Sequence, residues 1–256
     1  MPSDSRFVTI LRDPVTMFES IFTYFAYDKI YRIKANSPIK RLNKFLKDPM
    51  FWYNMKRAKP YQGHGRNPML YDLGLDTKFN DNQTYIDDMI IRIDKRFDLV
   101  MMAEYFYESL ILLKELMCWT LDDIVFLPLN ARTKSTVPSN FPTDSAKRIR
   151  KWNDGDVKLY SYFNCTFWQK VHNFGVERMK REVQLLKERN TYYHEICIQE
   201  VLHNAKDIYH PPHIKIDSFK IKPEMEGDPQ CMSMAMSELD FTETLRTKAL
   251  AAAQAV

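Results

Sequence analysis

The sequence predicts an α/β fold with a mainly parallel sheet and a helical C-terminal layer. Two short apolar runs, FVTIL (Phe7 to Leu11) and DLVMMA (Asp98 to Ala103), are each followed directly by an amphipathic helical pattern. Beyond residue 142 the periodicity turns helical. With 256 residues, 45% hydrophobic and 13% aromatic, the chain can bury one large core or two small ones.

The first run ends at Arg12-Asp13-Pro14, where Asp13 suits a helix N-cap and Pro14 the first helical position. A helix is predicted from there to about Tyr27, with Phe18, Ile21, Phe22 and Phe25 as its apolar face. Thr16, Ser20 and Tyr24, four residues apart, form a polar stripe on another face. A short amphipathic helix carries Leu42, Phe45 and Leu46, and Pro60 to Pro68 reads as a loop. After the second strand, Glu104 to Cys118 is predicted helical, with Phe106, Leu110, Leu113 and Met117 on one face. Ile124 to Leu129 is a third strand candidate, and Ser135 to Pro142 a polar linker. Phe167 to Arg189 is predicted as one long helix, apolar at Val176, Met179, Val183 and Leu186. The last fifty residues read as loop-rich, with a terminal helix from about Ser237.

The formal charge of +4 does not by itself imply nucleic acid or a membrane as partner. The charge is segregated, however. Residues 29–66 hold eleven Lys and Arg and one acid, Asp48, whereas residues 71–123 are dominated by Asp and Glu. Either the two stretches are solvated faces that attract each other, or the basic one is a rim that draws in an anion. No GxxxxGK[ST] phosphate loop is present. The six histidines lack metal-ligand spacing, and no metal site is expected.

Arg12 falls at the carboxyl end of a predicted strand, where open α/β sheets bind ligands. Ser20 follows two turns into the next helix. A guanidinium, a helix hydroxyl and a helix N-terminus make a phosphate clamp. The alternative pairs Arg12 with a nearby Asp and packs Ser20 in a helix interface. Glu104 and Glu108 sit one turn apart at a second strand end, suited either to sugar hydroxyls or to favouring the helix N-terminus. Tyr105 and Trp119 are sugar-stacking candidates, and Arg132 follows the third strand candidate.

Arg-Asp-Pro after an apolar strand, with Ser eight residues beyond the Arg, resembles the 3′-phosphate-binding segment of sulfotransferases that use 3′-phosphoadenosine 5′-phosphosulfate (PAPS). Four ordered blocks, RFVTILRDPVTMFESIFTYF, FDLVMMAEYFYESLILLKELMCW, LNAR and LYSYFNCTFWQKV, resemble the galactose 3-O-sulfotransferases. The resemblance implies a P-loop-like sulfotransferase sheet, with Arg12 and Ser20 on the 3′-phosphate of PAPS. The acceptor side is expected to include Glu104, Tyr105, Glu108 and Arg132. The acceptor would be a galactose-terminated glycolipid such as galactosylceramide, or a glycoprotein glycan, without metal or nucleic acid. In that family the 5′-phosphosulfate loop and the candidate catalytic base precede the segment matched by Arg12. The expectation is therefore one partial domain lacking its first β-α unit, with an α/β part at 1–134 and a mostly helical part at 135–256. Its catalytic residues are expected upstream of Met1, and the chain alone is not expected to turn over.

The family is Golgi-resident, with a lumenal catalytic domain and an N-terminal anchor expected in a full-length form. Here the N-terminus has no apolar h-region and no run of about 18 apolar residues occurs, which taken literally reads as cytosolic. The sequons at Asn82 and Asn164 and the four cysteines fit the lumen. A Cys197–Cys231 disulfide would staple the loop-rich C-terminal segment, with Cys118 a free thiol buried in its helix. Two other readings are a sulfotransferase for another glycan, with the 29–66 stretch lining a groove for an anionic acceptor, and an inactive glycan- or nucleotide-binding remnant.

Overall fold

The computed structural model describes residues 5–128, 142–203 and 217–254. In chain order the elements are β1 (Val8–Leu11), α1 (Pro14–Tyr24), α2 (Tyr27–Ile30), α3 (Pro38–Lys47), α4 (Pro49–Tyr53), α5 (Gln62–Gly65), α6 (Pro68–Asp72) and α7 (Gln83–Arg96). These are followed by β2 (Leu99–Met102), α8 (Phe106–Met117), α9 (Thr143–Trp152), α10 (Asp154–Phe174) and α11 (Val176–Cys197). The C-terminal elements are β3 (Ile198–His203), β4 (Asp217–Ile221), α12 (Pro229–Ala235) and α13 (Glu238–Gln254). The result is mixed α/β, mostly helical around a small parallel sheet. The chain divides into two compact units, Met1–Met117 with Asn140–Met179, and Cys118–Ser139 with Lys180–Val256.

In the first unit β1 pairs with β2 in parallel, Val8 opposite Leu99 and Leu11 opposite Met102. Parallel neighbours need a long crossover, and the helices α1 to α7 supply it. The two strand starts are locked together. Phe7 N–H donates to Asp98 Oδ2 at 2.8 Å, and Arg6 Nη1 donates to Asp98 Oδ1 at 3.0 Å. The Phe7 amide foremost, then Arg6, holds the Asp98 carboxyl below the usual carboxylate range.

The apolar face of α1 packs into an aromatic core. Phe18 and Phe22 lie 5.8 and 5.5 Å from Phe45 of α3, and Phe45 meets Trp152 of α9 edge-on at 6.2 Å. All four are buried. Phe45→Ala is expected to cost about 3–5 kcal/mol, typical of an emptied aromatic site. Beside this core, Asn67 takes a left-handed conformation (φ 47°), its N–H donating to Asn153 Oδ1 at 2.9 Å. The first turn of α6 is capped from outside. Met69 and Leu70 N–H donate to the Asp156 carboxylate of α10 at 3.0 and 2.9 Å. Asp156 is 1% exposed, and burial pushes its pKa up to about 7 against the pull of those two amides. A Cβ on Gly155 would come within 2.9 Å of the buried Leu70 side chain and 3.0 Å of Asn67, so a larger residue here makes a neighbour shift.

Three expectations are corrected. The third strand at Ile124 to Leu129 does not form. Asp122–Ile124 is a 3₁₀ turn, residues 125–128 have no strand partner, and Leu129 lies outside the described residues. The Phe126 N–H is instead satisfied by Asn190 Oδ1 of α11 at 3.1 Å. The single helix at Phe167 to Arg189 is two, α10 and α11, broken at Gly175, whose φ of 100° favours glycine. Cys118 is not buried in a helix. It is exposed and left-handed (φ 55°), just past the end of α8.

The loop-rich C-terminal segment also holds an antiparallel pair, β3 with β4, in the second unit. Cys197 and Cys231, both fully buried, are disulfide-bonded there with Cα atoms 5.3 Å apart. Closing a loop of 34 residues removes unfolded-state freedom, by about 3–4 kcal/mol in the chain-entropy account. The Arg189 guanidinium clamps Asp122 with bonds of 2.5 and 2.8 Å.

Candidate functional site

The register that sets Leu11 opposite Met102 also sets the residues after each strand side by side. At the end of β1, Asp13 turns the chain into α1. Its Oδ1 accepts from Val15 and Thr16 N–H at 3.0 and 3.2 Å, and Pro14 needs no acceptor. Its Oδ2 pairs with Arg150 Nη2 of α9 at 2.9 Å. The first-turn amides of α1 are thus already taken. Whatever binds an anion at this end is side-chain chemistry and not free helix N–H groups.

Arg12 provides that chemistry. Its backbone is held, the N–H donating to Met69 Sδ at 3.5 Å, but its side chain is exposed. Nε donates to Thr16 Oγ1 at 3.1 Å, and Thr16 Oγ1 in turn donates to Asp13 O at 3.1 Å. Among the described residues no carboxylate pairs with Arg12, so the alternative reading of an Arg12–Asp ion pair is not the arrangement seen. Ser20 lies one turn beyond Thr16 on α1, about 6 Å further along the axis, and is half-buried. The geometry is an exposed guanidinium, steered by a threonine hydroxyl, at the head of a stripe that leads to Ser20.

At the end of β2 the chain enters a 3₁₀ turn, Ala103–Tyr105, before α8. Glu104 uses both oxygens. Oε1 accepts from Asp13 N–H at 2.7 Å, and Oε2 from the Tyr160 hydroxyl of α10 at 3.0 Å. Burial first and the Glu104 carboxylate next push the Tyr160 pKa up, so the phenol stays protonated and donates. Tyr105 stacks on Phe167 at 5.9 Å and meets Trp168 edge-on at 4.7 Å. Glu108, half-buried, has no hydrogen-bond partner among the described residues. Ser109 closes the turn, its hydroxyl donating to Met102 O at 3.1 Å and accepting from Met102 N–H at 3.0 Å.

The structure therefore brings Arg12, Asp13, Thr16 and Glu104 together at adjacent strand ends, with Ser20 on the same helix. Arg132 lies outside the described residues, and Trp119 is exposed in the second unit. Sequence reasoning did not find Arg150 or Tyr160. They are 137 residues from Asp13 and 56 from Glu104, and nothing local marks a partner at that distance. Asn82 is the exposed N-cap of α7, its Oδ1 accepting from Tyr85 N–H. Asn164 lies mid-way along α10, half-buried, and its Oδ1 is buried with no hydrogen-bond partner among the described residues. Among the described residues no His, Cys, Asp or Glu group is placed to hold a metal ion, and no helix is long and apolar enough to cross a membrane.

A family model described as galactose-3-O-sulfotransferase matches residues 1–248. The chain is 40% identical over 196 residues to galactosylceramide sulfotransferase of Bos taurus, covering 76% of this chain and 45% of that protein. It is 35% identical over 265 residues to galactose-3-O-sulfotransferase 3 of Mus musculus, covering 97% of this chain and 60% of that protein. Galactose-3-O-sulfotransferase 2 of Sus scrofa is 32% identical over 259 residues, covering 97% and 64%. The chain thus spans only part of the length of the curated relatives it matches. No solved structure matches it.

Proposed function

The chain belongs to the galactose-3-O-sulfotransferase family, and from that premise we propose that it serves a PAPS-dependent transfer of a sulfonyl group to the 3-hydroxyl of galactose, carried on a glycolipid such as galactosylceramide or on a glycoprotein glycan. The observation that carries this reading is Arg12, an exposed guanidinium with no carboxylate partner among the described residues, at the carboxyl end of a parallel strand. In this reading Arg12, steered by Thr16, meets the 3′-phosphate of the donor with two charge-assisted bonds, and Ser20 adds a hydroxyl. Arg150, paired with Asp13 at 2.9 Å, is a second guanidinium at the same strand end.

Glu104 has the role of a positioning residue, because both its oxygens are committed to holding the Arg12–Asp13 turn and α10. Glu108, with no hydrogen-bond partner among the described residues, is assigned to acceptor hydroxyls. The Golgi lumen is the proposed compartment, supported by the buried Cys197–Cys231 disulfide, since such bonds persist where the medium is oxidising.

Nucleotide selectivity tests the donor reading. Adenosine 3′,5′-bisphosphate should bind at least tenfold more tightly than adenosine 5′-phosphate, a gap of about 1.4 kcal/mol or more for one charged contact. Equal affinities would remove the 3′-phosphate from the site. For the acceptor, the protein given PAPS and a panel of galactosides should place sulfate on the galactose 3-hydroxyl, and a product sulfated elsewhere would contradict the assignment.

A further inference from the structure

One surface of the first unit is aromatic, and the strand-end site makes no use of it. Tyr24, Tyr61 and Tyr71 are 44%, 38% and 40% exposed. They stand on α1, on the 3₁₀ turn Lys56–Tyr61 and on α6. Two further rings join them into a wall. By ring centroids, Phe25 lies 5.3 Å from Tyr24, 6.4 Å from Tyr61 and 5.2 Å from His64, and His64 lies 5.1 Å from Tyr71. The wall is held from behind. The hydroxyl of buried Tyr27 donates to the Tyr61 backbone oxygen at 3.1 Å. The Tyr71 ring rests directly on Gly63, where a Cβ would overlap it.

The wall also has polar edges. His64 Nε2 and Asp72 Oδ1 are 3.1 Å apart, and both side chains are partly open to solvent. Among the described residues, His64 Nδ1, Asp72 Oδ2 and the hydroxyls of Tyr24, Tyr61 and Tyr71 have no hydrogen-bond partner. Each exposed tyrosine thus joins a flat apolar face to an uncommitted polar end. The wall begins where α1 ends. Pro14 and Tyr24 are ten residues apart, about 15 Å along the helix axis, so a sugar-sized ligand on the wall sits apart from the β1 end.

We propose that this wall is a glycan-binding subsite that takes an uncharged sugar ring. A pyranose has an apolar face of C–H groups and a rim of hydroxyls. The C–H face lies on a tyrosine ring, and the hydroxyls meet His64, Asp72 and the tyrosine hydroxyls. A wholly apolar partner would bury those polar groups unpaired, which is costly. The turn before Tyr61 carries the exposed cations Lys56, Arg57 and Lys59. The wall itself, however, offers a hydrogen-bonded His–Asp pair and neutral hydroxyls, and an anion on it would face Asp72. Placing the bound sugar in the acceptor, as a unit other than the one sulfated, rests on the function proposed above, whereas the binding needs no transfer. In that role the wall favours acceptors of two or more sugars over a lipid that carries one.

The test is saturation-transfer NMR of the 256-residue chain with lactose and no nucleotide, so that no activity is read. Transfer to lactose protons is expected, undiminished in about 0.5 M salt because no ion pair with the ligand is there to screen. Tyr61→Ala with Tyr71→Ala should weaken lactose at least tenfold as two stacking rings go. His64→Phe keeps a ring and removes the polar edge, and should weaken it about fivefold, as for one neutral hydrogen bond. Circular dichroism checks the fold of each variant, and if the double variant unfolds, Tyr61→Ala alone is read in its place. Arg12→Ala should bind lactose as wild type does, so a failed donor site, read with adenosine 3′,5′-bisphosphate, is distinguishable from a failed wall. No transfer to lactose, or tyrosine variants that bind it as wild type does, would overturn the proposal. So would displacement of lactose by heparin and not by excess methyl β-galactoside, which would make the wall part of a polyanion groove.

Discussion

The two strand ends of the parallel sheet share a local plan and have opposite outcomes. Each is an apolar strand, a charged turn and an amphipathic helix. After β1 the turn leaves its guanidinium exposed, with Arg12 Nε on a threonine hydroxyl and no carboxylate partner among the described residues. After β2 the turn spends its charge on the scaffold, with one oxygen of Glu104 on the Asp13 amide and the other on Tyr160. In the proposed reading the first strand end binds because its charge has no carboxylate partner among the described residues, and its neighbour holds the turn it sits on. The second strand end is the support of the first.

The largest expected effect lies in the floor under that pair. Asp156 holds the α6 turn that carries Met69, the acceptor for the Arg12 amide. Its folded pKa is raised to about 7 from an ordinary carboxylate value. The stability it contributes is therefore complete at low pH and is lost as pH rises through 7. The depressed carboxyls of Asp81 and Asp98 are already ionised by pH 5, so they do not change over the window that follows. Denaturation should show stability falling by on the order of a few kcal/mol from pH 5 to pH 8. Asp156→Asn should flatten that slope. A wild-type chain equally stable at both ends of the window would show that burial does not govern this carboxyl.

Next comes the β1 end, the proposed binding site. Arg12→Ala should weaken adenosine 3′,5′-bisphosphate by about 1.5–3 kcal/mol, the worth of a charged hydrogen bond, and shift stability by less than about 0.5 kcal/mol, as for an exposed side chain. The supporting end should behave the other way. Glu104→Gln keeps the shape but weakens two charge-assisted bonds, and unfolding is expected to be easier by about 1–2 kcal/mol.

The smallest effect repeats the contrast between an open and a committed group. Asn82 is exposed at a helix N-cap, while Asn164 is half-buried inside a helix of 21 residues. Peptide mass spectrometry of secreted protein should find glycan on Asn82 and none on Asn164. Occupancy of Asn164 would require α10 to be accessible before it folds.

Much of the β1 end was legible in sequence, because its strand, turn and helix are contiguous. An apolar run, Asp13 as cap, Pro14 after it and apolar residues at helical spacing lie within twenty residues. The same holds for β2 and most of α8. What was not legible depends on distance or on a single backbone angle. Arg150 and Tyr160 arrive from helices far along the chain. Val125 to Leu127 is apolar enough for a strand, yet Phe126 finds its partner in Asn190. Gly175 breaks a helix whose apolar spacing, at Met179, Val183 and Leu186, gives no sign of the break. Glu104 was placed at the second strand end with its carboxylate read either as open to sugar or as favouring the helix N-terminus, because pattern alone does not reveal that both oxygens are engaged.

The central claim, that one strand end binds and the other supports, is tested most directly by measuring affinity and stability on the same two variants. Calorimetric titration with adenosine 3′,5′-bisphosphate and thermal melting would be run on wild type, Arg12→Ala and Glu104→Gln. The account expects Arg12→Ala to lose roughly ten- to hundredfold in affinity at an unchanged melting temperature, and Glu104→Gln to melt earlier with a smaller change in affinity. An Arg12→Ala chain that binds the nucleotide as tightly as wild type would contradict it.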